Sequence, residues 1–285
     1  MKSIFGVLLL VLSMFIPTSA QALSLPLGGG GSTPPAGPFY VALGDSYSSA
    51  PGNVTRTDGP CARFAEAHPT LTGAALGLKT YNYGCAGATV KKGIMGQQVR
   101  NTTVVSPQIN NLKASAKPEL ITITIGLNDI TYNKFYQKCF TDTCGTATDT
   151  ANFDAYLATV KDNIRTIYAK IQSTYGATAP KTIILGYPNI FPPEVYNCAS
   201  MNGMTADEVT WVRDVMTGHL NQAISETAAG YSFVHYVPVN NLVGHEVCTA
   251  DPWVFSSTDV GNLHPNAKGH QAMSNAVVSA YAQLR

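Results

Sequence analysis

The sequence predicts an α/β fold with three layers, α/β/α, in which helices cover both faces of a mainly parallel central sheet. Short apolar runs rich in β-branched residues recur along the chain, and helical patterns lie between them. Strands separated by helices form parallel β-α-β units. Ligands in such sheets bind beyond the carboxyl ends of the strands, so functional residues are expected in the loops that follow the strands.

The predicted strands are the apolar segments 39–43, 120–125, 182–185 and 231–237. Apolar residues spaced three and four apart between positions 153 and 171 predict a helix with one buried face. Thr205 and Glu208 form a capping box that begins a second helix. A last helix is predicted from about 266 to 284, and Pro265 near its start is tolerated because first-turn amides have no partner within the helix.

The N-terminus has the pattern of a secretory signal peptide over residues 1–22. Lys2 precedes an apolar run, and Ala20-Gln21-Ala22 is a small-x-small cleavage signal with cleavage expected after Ala22. The apolar run is too short for a comfortable membrane span, so no stable membrane insertion is expected after cleavage. Residues 23–38 form a Gly/Pro-rich linker, and residues 39–285 are long enough for one large domain. We therefore expect a secreted, extracellular protein.

Charge and cysteine content limit the function classes. The chain has 18 basic and 17 acidic residues without a basic cluster, so binding to nucleic acid through bulk charge is disfavoured. Six cysteines in an exported chain predict three disulfides, although the sequence alone cannot choose among the pairings. Cys139 and Cys144 have no second close Cys/His pair to complete a zinc site, so no metal is expected.

Four loop positions are candidates for chemistry. Gly44-Asp45-Ser46 follows the first strand, where a glycine turn can expose the Ser46 hydroxyl. This is not the G-x-S-x-G elbow, because position 48 is Ser. Gly87 can present a bare N–H, Asn128 can donate amide hydrogens, and His264 can act as a base. Taken alone, Gly44-Asp45-Ser46 and Asn128 are more simply explained as turn or capping residues.

The four positions together resemble the sequence blocks of the SGNH hydrolases, also called the GDSL family of esterases and lipases. The segments GDSYSS, CAGAT, GLND and HPNAKGH are most similar to the secreted actinobacterial-type branch. The resemblance covers nearly the whole domain and implies a flavodoxin-like fold, a carboxylic ester hydrolase and no cofactor. The cysteine layout is similar too, and implies sequential disulfides: Cys61–Cys85, Cys139–Cys144 and Cys198–Cys248.

This resemblance implies a serine-esterase mechanism. Ser46 would attack the ester carbonyl and form an acyl-enzyme, while His264 would take the proton of Ser46 and return it to the leaving alcohol. The oxyanion would be bound by the backbone N–H groups of Ser46 and Gly87 and by the side chain of Asn128. Ser48 and Ser49 are interpreted as turn or helix-start residues.

One position departs from the family pattern. An aspartate usually stands three residues before the histidine, and this chain has Gly261 there. Two interpretations follow: the Gly261 carbonyl holds the ring N–H in a Ser–His dyad, or Asp259 reaches His264 through a rearranged loop. Asp251 lies further from His264 in the sequence. We favour the dyad.

Other residues near these motifs are interpreted more simply. Asp45 and Asp129 are expected to cap backbone amides. Tyr47 and Trp253 either line the site or belong to the core.

The expected substrate is a small-molecule or lipid ester, such as an acyl glycerol or a phospholipid, and the protein is expected to be a monomer. A carbohydrate O-acetyl esterase is the alternative enzyme. A non-catalytic surface-binding domain that kept the fold is the alternative from another class. The four intact motifs disfavour that alternative, and acyl-chain preference cannot be read from the sequence.

Overall fold

A computed structural model describes residues 37–285, so the predicted signal peptide and most of the linker lie outside the described residues. Within these residues the strands are β1 (Phe39–Gly44), β2 (Arg56–Asp58), β3 (Arg63–Phe64), β4 (Lys79–Asn82), β5 (Gln98–Arg100), β6 (Thr103–Val105), β7 (Leu120–Thr124), β8 (Lys181–Leu185) and β9 (Val234–Val237). The helices are α1 (Ser46–Ser49), α2 (His68–Leu76), α3 (Tyr132–Thr141), α4 (Ala147–Tyr175), α5 (Ala206–Thr210), α6 (Gly218–Ala228) and α7 (Ala267–Gln283).

The central sheet has five strands in the order β4-β1-β7-β8-β9, and every neighbouring pair is parallel. This confirms the predicted α/β fold with a mainly parallel sheet. The chain runs from β1 outward to β4 and then returns to the other side of β1 to form β7. Strand order therefore reverses at the β1/β7 pair, where sheets of this kind open a crevice for ligands.

Two helix pairs cover the sheet and complete the three layers. Helix α2 packs against α7, and both contact the central strands. Helix α4 packs against α6, and its residues at the predicted three- and four-residue spacing are buried. The strands β1 and β7 are buried along their whole length, so the core lies on both faces of the sheet.

Several boundaries differ from the sequence prediction. Strand β4 was missed because its four residues, KTYN, mix polar and apolar types and none is fully buried. The last strand begins at Val234 instead of Tyr231, because backbone hydrogen bonds form a turn from Ala228 through Tyr231 to Val234. The predicted capping box of Thr205 and Glu208 is present, but the helix it begins contains a π-helical segment, Trp211–Thr217, between α5 and α6.

Three disulfides join the cysteines in sequential order, and all of them lie in or beside strand-end loops or helix termini. Cys61–Cys85 connects the segment after β2 to the loop after β4. Cys139–Cys144 closes the end of α3, and Cys198–Cys248 connects the loops that follow β8 and β9. Among residues 37–285, no helix combines the length and apolarity needed to cross a membrane.

Candidate active site

The turn after β1 positions Ser46, and it requires glycine at position 44. Gly44 has a φ of +155°, and a Cβ atom there would lie 2.3 Å from the Ser48 Oγ and 2.6 Å from the Thr124 carbonyl oxygen. The side-chain amide of Gln108 holds the backbone of Gly44 on both sides. It accepts from the Gly44 N–H at 2.8 Å and donates to the Gly44 carbonyl at 2.8 Å. The chain therefore turns sharply at the carboxyl end of β1.

Asp45 caps the short helix α1, which begins at Ser46. One Asp45 oxygen accepts from the Tyr47 N–H at 2.9 Å. Ser46 is the first helical residue, where backbone N–H groups have no partner within the helix. Its N–H donates to no acceptor among the described residues, so it is free to bind a ligand atom.

His264 contacts Ser46 directly. Its Nε2 lies 2.7 Å from the Ser46 Oγ, although 218 positions separate the two residues in sequence. Its Nδ1 lies 2.7 Å from the Gly261 carbonyl oxygen and 2.9 Å from that of Asn262. Carbonyl oxygens only accept, so Nδ1 carries the proton and Nε2 is left to accept from the serine hydroxyl. Burial lowers the pKa of His264, and the two hydrogen bonds only partly oppose this shift. The ring is therefore neutral at neutral pH.

The turn before His264 is held in an unusual backbone conformation. Asn262 and Leu263 have φ values of +32° and +61°, in the left-handed region that non-glycine residues rarely adopt. Phe255 holds the end of this turn, because its N–H donates to the His264 carbonyl at 2.9 Å and its carbonyl accepts from Leu263 at 3.2 Å. Two carbonyls are thereby directed at the Nδ1 of His264.

Asp259 lies away from the imidazole. It is exposed, and its carboxylate accepts from the Ser256 N–H at 2.7 Å. Asp251 instead contacts Lys268, at 2.6 Å, and the Trp253 indole, at 3.1 Å. No hydrogen bond or ion pair joins either carboxylate to His264 in the described part of the chain.

An aspartate at position 261 would not fit this structure. A Cβ atom on Gly261 would lie 2.0 Å from the Phe255 ring, far inside van der Waals contact. The backbone of Gly52 also packs closely against Gly261: a Cβ atom built on Gly52 would lie 2.2 Å from the Gly261 Cα. The departure from the family pattern therefore has a steric cause in the neighbouring residues.

Gly87 and Asn128 face the same crevice as Ser46. Gly87 has a φ of +76°, and its N–H donates to no acceptor among residues 37–285. The neighbouring Ala86 N–H donates to the Cys61 carbonyl at 3.0 Å, so the disulfide region supports this loop. Asn128 donates one amide hydrogen to the Ala88 carbonyl at 3.0 Å, which orients its side chain and leaves the second hydrogen available.

Asp129 connects the Gly87 loop to the loop after β7. Both of its oxygens accept from the Val90 N–H, at 3.1 and 3.2 Å. Burial raises its pKa to about 6, and burial raises the pKa of Asp45 to about 7. Both carboxylates cap backbone amides, the arrangement expected from their positions beside tight turns.

The aromatic candidates have different locations. Tyr47 lines the cleft, and its ring centroid lies 5.4 Å from that of His264. Trp253 does not line this cleft, because its indole stacks on His245 at a centroid distance of 3.6 Å. Tyr187, a buried residue in the loop after β8, is not among the residues that the sequence motifs indicate, although it lies in one of the strand-end loops where functional residues are expected.

Ser46, Gly87, Asn128 and His264 all line one open cleft of about 350 Å³. The remaining lining is largely tyrosine, aliphatic and amide side chains, supplied in part by Tyr132, Asn133, Tyr136, Gln137, Ile190 and Leu263. No Lys, Arg, Asp or Glu belongs to the lining within the described residues. The arrangement combines a serine, a neutral imidazole and several unpaired N–H donors in an uncharged cleft.

Comparisons with known proteins agree with this arrangement. The model of the GDSL-like Lipase/Acylhydrolase family matches residues 42–272. Lipase 1 of Streptomyces coelicolor is 27% identical over 270 residues, which cover 90% of this chain and 92% of that protein.

Two solved structures have a similar fold over most of the chain. A phospholipase A1 from Streptomyces albidoflavus NA297 is 26% identical with a TM-score of 0.63, and the match covers 87% of this chain and 99% of that one. The extracellular lipase from Streptomyces rimosus has a TM-score of 0.70 at 24% identity, with the same coverage of 87% and 99%. The chain therefore belongs to the GDSL-like lipase/acylhydrolase family and is a carboxylic ester hydrolase.

Proposed function

We propose that the protein is a secreted serine esterase or lipase that uses Ser46 as nucleophile and His264 as general base. The distance of 2.7 Å between the Ser46 Oγ and the His264 Nε2, inside the cleft, carries this proposal. Attack by the Ser46 oxygen on the ester carbonyl transfers its proton to Nε2. Collapse of the tetrahedral intermediate returns that proton to the leaving alcohol, and water then hydrolyses the acyl-enzyme by the same route.

Three donors are proposed to stabilise the oxyanion: the N–H groups of Ser46 and Gly87 and the Asn128 amide. Their support is that both backbone groups lack protein acceptors in the described chain, and that the Asn128 side chain is already oriented by Ala88. Donors fixed in advance stabilise developing charge without reorganisation in the transition state. Removing one such donor typically lowers kcat by about 10²–10³-fold.

We propose a Ser–His dyad whose imidazole is oriented by backbone carbonyls. Its support is the short contact of Nδ1 with Gly261 and Asn262, and the engagement of Asp259 with Ser256. Replacement of a true triad aspartate by asparagine lowers kcat by about 10⁴-fold. Asp259→Asn is therefore expected to retain kcat/KM within a few-fold, and a loss near 10⁴-fold would show that Asp259 completes a triad.

The proposed substrate is an uncharged acyl ester, such as an acyl glycerol. The cleft lining offers aromatic, aliphatic and amide groups but no basic side chain. Arg100, which lies beside Gly87, is not part of the lining and donates to the Pro60 carbonyl at 3.4 Å. Dihexanoyl phosphatidylcholine should therefore be a poorer substrate than tributyrin at equal ester concentration. A clear preference for the phospholipid would contradict this choice, and activity confined to acetylated xylan would favour the carbohydrate O-acetyl esterase.

Secretion is proposed from residues 1–22, with 23–38 as a linker and 39–285 as the catalytic domain. Three disulfides support an oxidising destination. N-terminal sequencing of protein recovered from culture medium tests the cleavage after Ala22. Size-exclusion chromatography with light scattering tests the proposed monomer.

The central experiment is a panel of p-nitrophenyl esters, from acetyl to palmitoyl, with the wild type and Ser46→Ala. The wild type should hydrolyse esters and react with a fluorophosphonate, and Ser46→Ala should do neither. Ser49→Ala is the matched control, since Ser49 lies in the same short helix and, among the described residues, its hydroxyl donates a hydrogen bond only to the Ser46 carbonyl, at 3.5 Å. Undiminished hydrolysis by Ser46→Ala would refute the nucleophile, and inactivity of the wild type would favour a binding domain.

A further inference from the structure

Tyr187 connects two segments that carry the proposed chemistry. It lies two positions after β8 and is 2% exposed. Its hydroxyl donates to the second Asp45 oxygen at 2.5 Å and accepts from the Leu127 N–H at 3.2 Å. Asp45 directly precedes Ser46, and Leu127 directly precedes Asn128. A single hydroxyl therefore joins the side chain of the residue before the proposed nucleophile to the backbone of the residue before a proposed oxyanion donor.

The backbone of Tyr187 is itself firmly held. Asn221 on α6 accepts from the Tyr187 N–H at 2.7 Å and donates to the Tyr187 carbonyl at 2.8 Å. The preceding Gly186 donates to the Val237 carbonyl at 2.9 Å. The hydroxyl is thus anchored to the sheet and to α6, and it connects the loops after β1 and β7 to this rigid frame.

The Tyr187 ring also supports the base side of the site. It packs edge-to-face against Tyr47 with centroids 5.0 Å apart, and Tyr47 in turn packs on His264. Burial, with the adjacent Asp45 carboxyl, holds the pKa of Tyr187 well above its usual range. The hydroxyl therefore stays protonated and continues to donate throughout the working pH range.

We propose that Tyr187 is a positioning residue, which sets the spacing between the Ser46 nucleophile and the Asn128 oxyanion donor through its hydroxyl contacts with Asp45 and Leu127. Tyr187 does not line the cleft, so it acts through these neighbours and touches no substrate. The proposal rests on the roles proposed above for Ser46 and Asn128. Small misplacements of reacting groups are costly because the transition state requires near-ideal geometry.

Tyr187→Phe removes the hydroxyl and retains the ring that packs on Tyr47. We expect kcat to fall by about 10- to 100-fold with KM within two-fold, because the misplaced groups act mainly in the transition state. Tyr168→Phe is the matched control: Tyr168 is also fully buried, and its hydroxyl bonds to Thr227 at 3.2 Å, between α4 and α6. The control should lose a comparable amount of thermal stability and retain the wild-type kcat.

A transition-state analogue separates positioning from general destabilisation. An alkyl boronic acid gains the Ser46 oxygen as a fourth boron ligand, and the serine proton passes to His264, which gives a tetrahedral anion at the oxyanion position. Its affinity should fall in Tyr187→Phe by about the same factor as kcat/KM, and should not change in Tyr168→Phe. Equal boronate affinity in the wild type and Tyr187→Phe would overturn the proposal.

A double-mutant cycle with Asp45 tests the contact, and the Asp45 variant alone tests it if Tyr187→Phe folds poorly. Asp45→Ala removes the acceptor of the same hydrogen bond, and it should produce a loss of kcat of the same kind. The double variant should be no worse than the poorer single variant, because both changes remove one interaction. Fully additive losses would refute the coupling. A wild type without Ser46-dependent hydrolysis would instead refute the proposed function.

Discussion

Two buried histidines make the free energy of unfolding sensitive to acid. His68 and His270 face each other between α2 and α7, and both are completely buried. The His68 N–H donates to the Nδ1 of His270 at 3.3 Å, while both ring nitrogens of His68 lack a hydrogen-bond partner in the described chain. Burial lowers the pKa of His68 to about 3 and that of His270 well below its usual value.

The sign and size of the effect follow from linkage. The unfolded chain binds a proton at each histidine below a pKa of about 6.5, whereas the folded chain leaves His68 neutral down to about 3. The contribution of the neutral, buried His68 to the free energy of unfolding is fully present above pH 6.5. This contribution is lost as the pH falls towards 3. The loss approaches about 1.4 kcal/mol per pH unit for each histidine, so His68 alone accounts for about 2 kcal/mol at pH 5.

Urea unfolding at pH 7.5 and pH 5.0 measures this effect in the wild type and in His68→Leu. Leucine fills the site without titrating, and it retains the backbone N–H that donates to His270. We expect the variant to lose about 2 kcal/mol less than the wild type between the two pH values. His219→Gln serves as control, since His219 is only partly buried and pairs with Asp154. An equal loss in the wild type and His68→Leu would refute the reasoning.

Three further predictions concern the site and its frame. Gly44→Ala should lower the free energy of unfolding by roughly 2 kcal/mol more than Gly77→Ala, measured by urea, because only Gly44 is crowded. The pH dependence of kcat/KM should have an acid limb whose apparent pKa lies below the usual value for histidine, because burial lowers the pKa of His264. Removing Cys198–Cys248 should cost about 4 kcal/mol and removing Cys139–Cys144 about 2, measured by calorimetry, because the loops differ in length.

Local patterns in the sequence predicted the frame well. The apolar runs around Val41, Ile123 and Ile183 correctly predicted three central strands, since buried parallel strands are continuous in apolar residues. The apolar spacing along α4 and the capping box at Thr205 correctly predicted helices, because both patterns are contained in a short stretch of sequence. The edge strand β4 was missed because its side chains are only partly buried and its pattern is weak.

The candidate site could be predicted only as a set of motif residues. Ser46 and His264 are identified by their sequence blocks, and the structure brings them within hydrogen-bond distance. The residues that hold them were not predicted, because Tyr187 and Gln108 act through contacts with segments distant in sequence. A buried tyrosine in a loop has no local pattern that distinguishes a positioning role from ordinary packing.

Gly261 is the position at which the proposed Ser–His dyad departs from the family pattern. A histidine base needs an acceptor for its Nδ1 hydrogen, and a carbonyl supplies one as well as a carboxylate does. Here two carbonyls accept, while the Phe255 ring fills the space that an aspartate side chain would occupy. Position 261 therefore requires glycine, because Phe255 and Gly52 leave no space for a side chain there. The absence of the family's aspartate at position 261 therefore does not leave the His264 imidazole without an orienting group, because the Gly261 and Asn262 carbonyls contact its Nδ1.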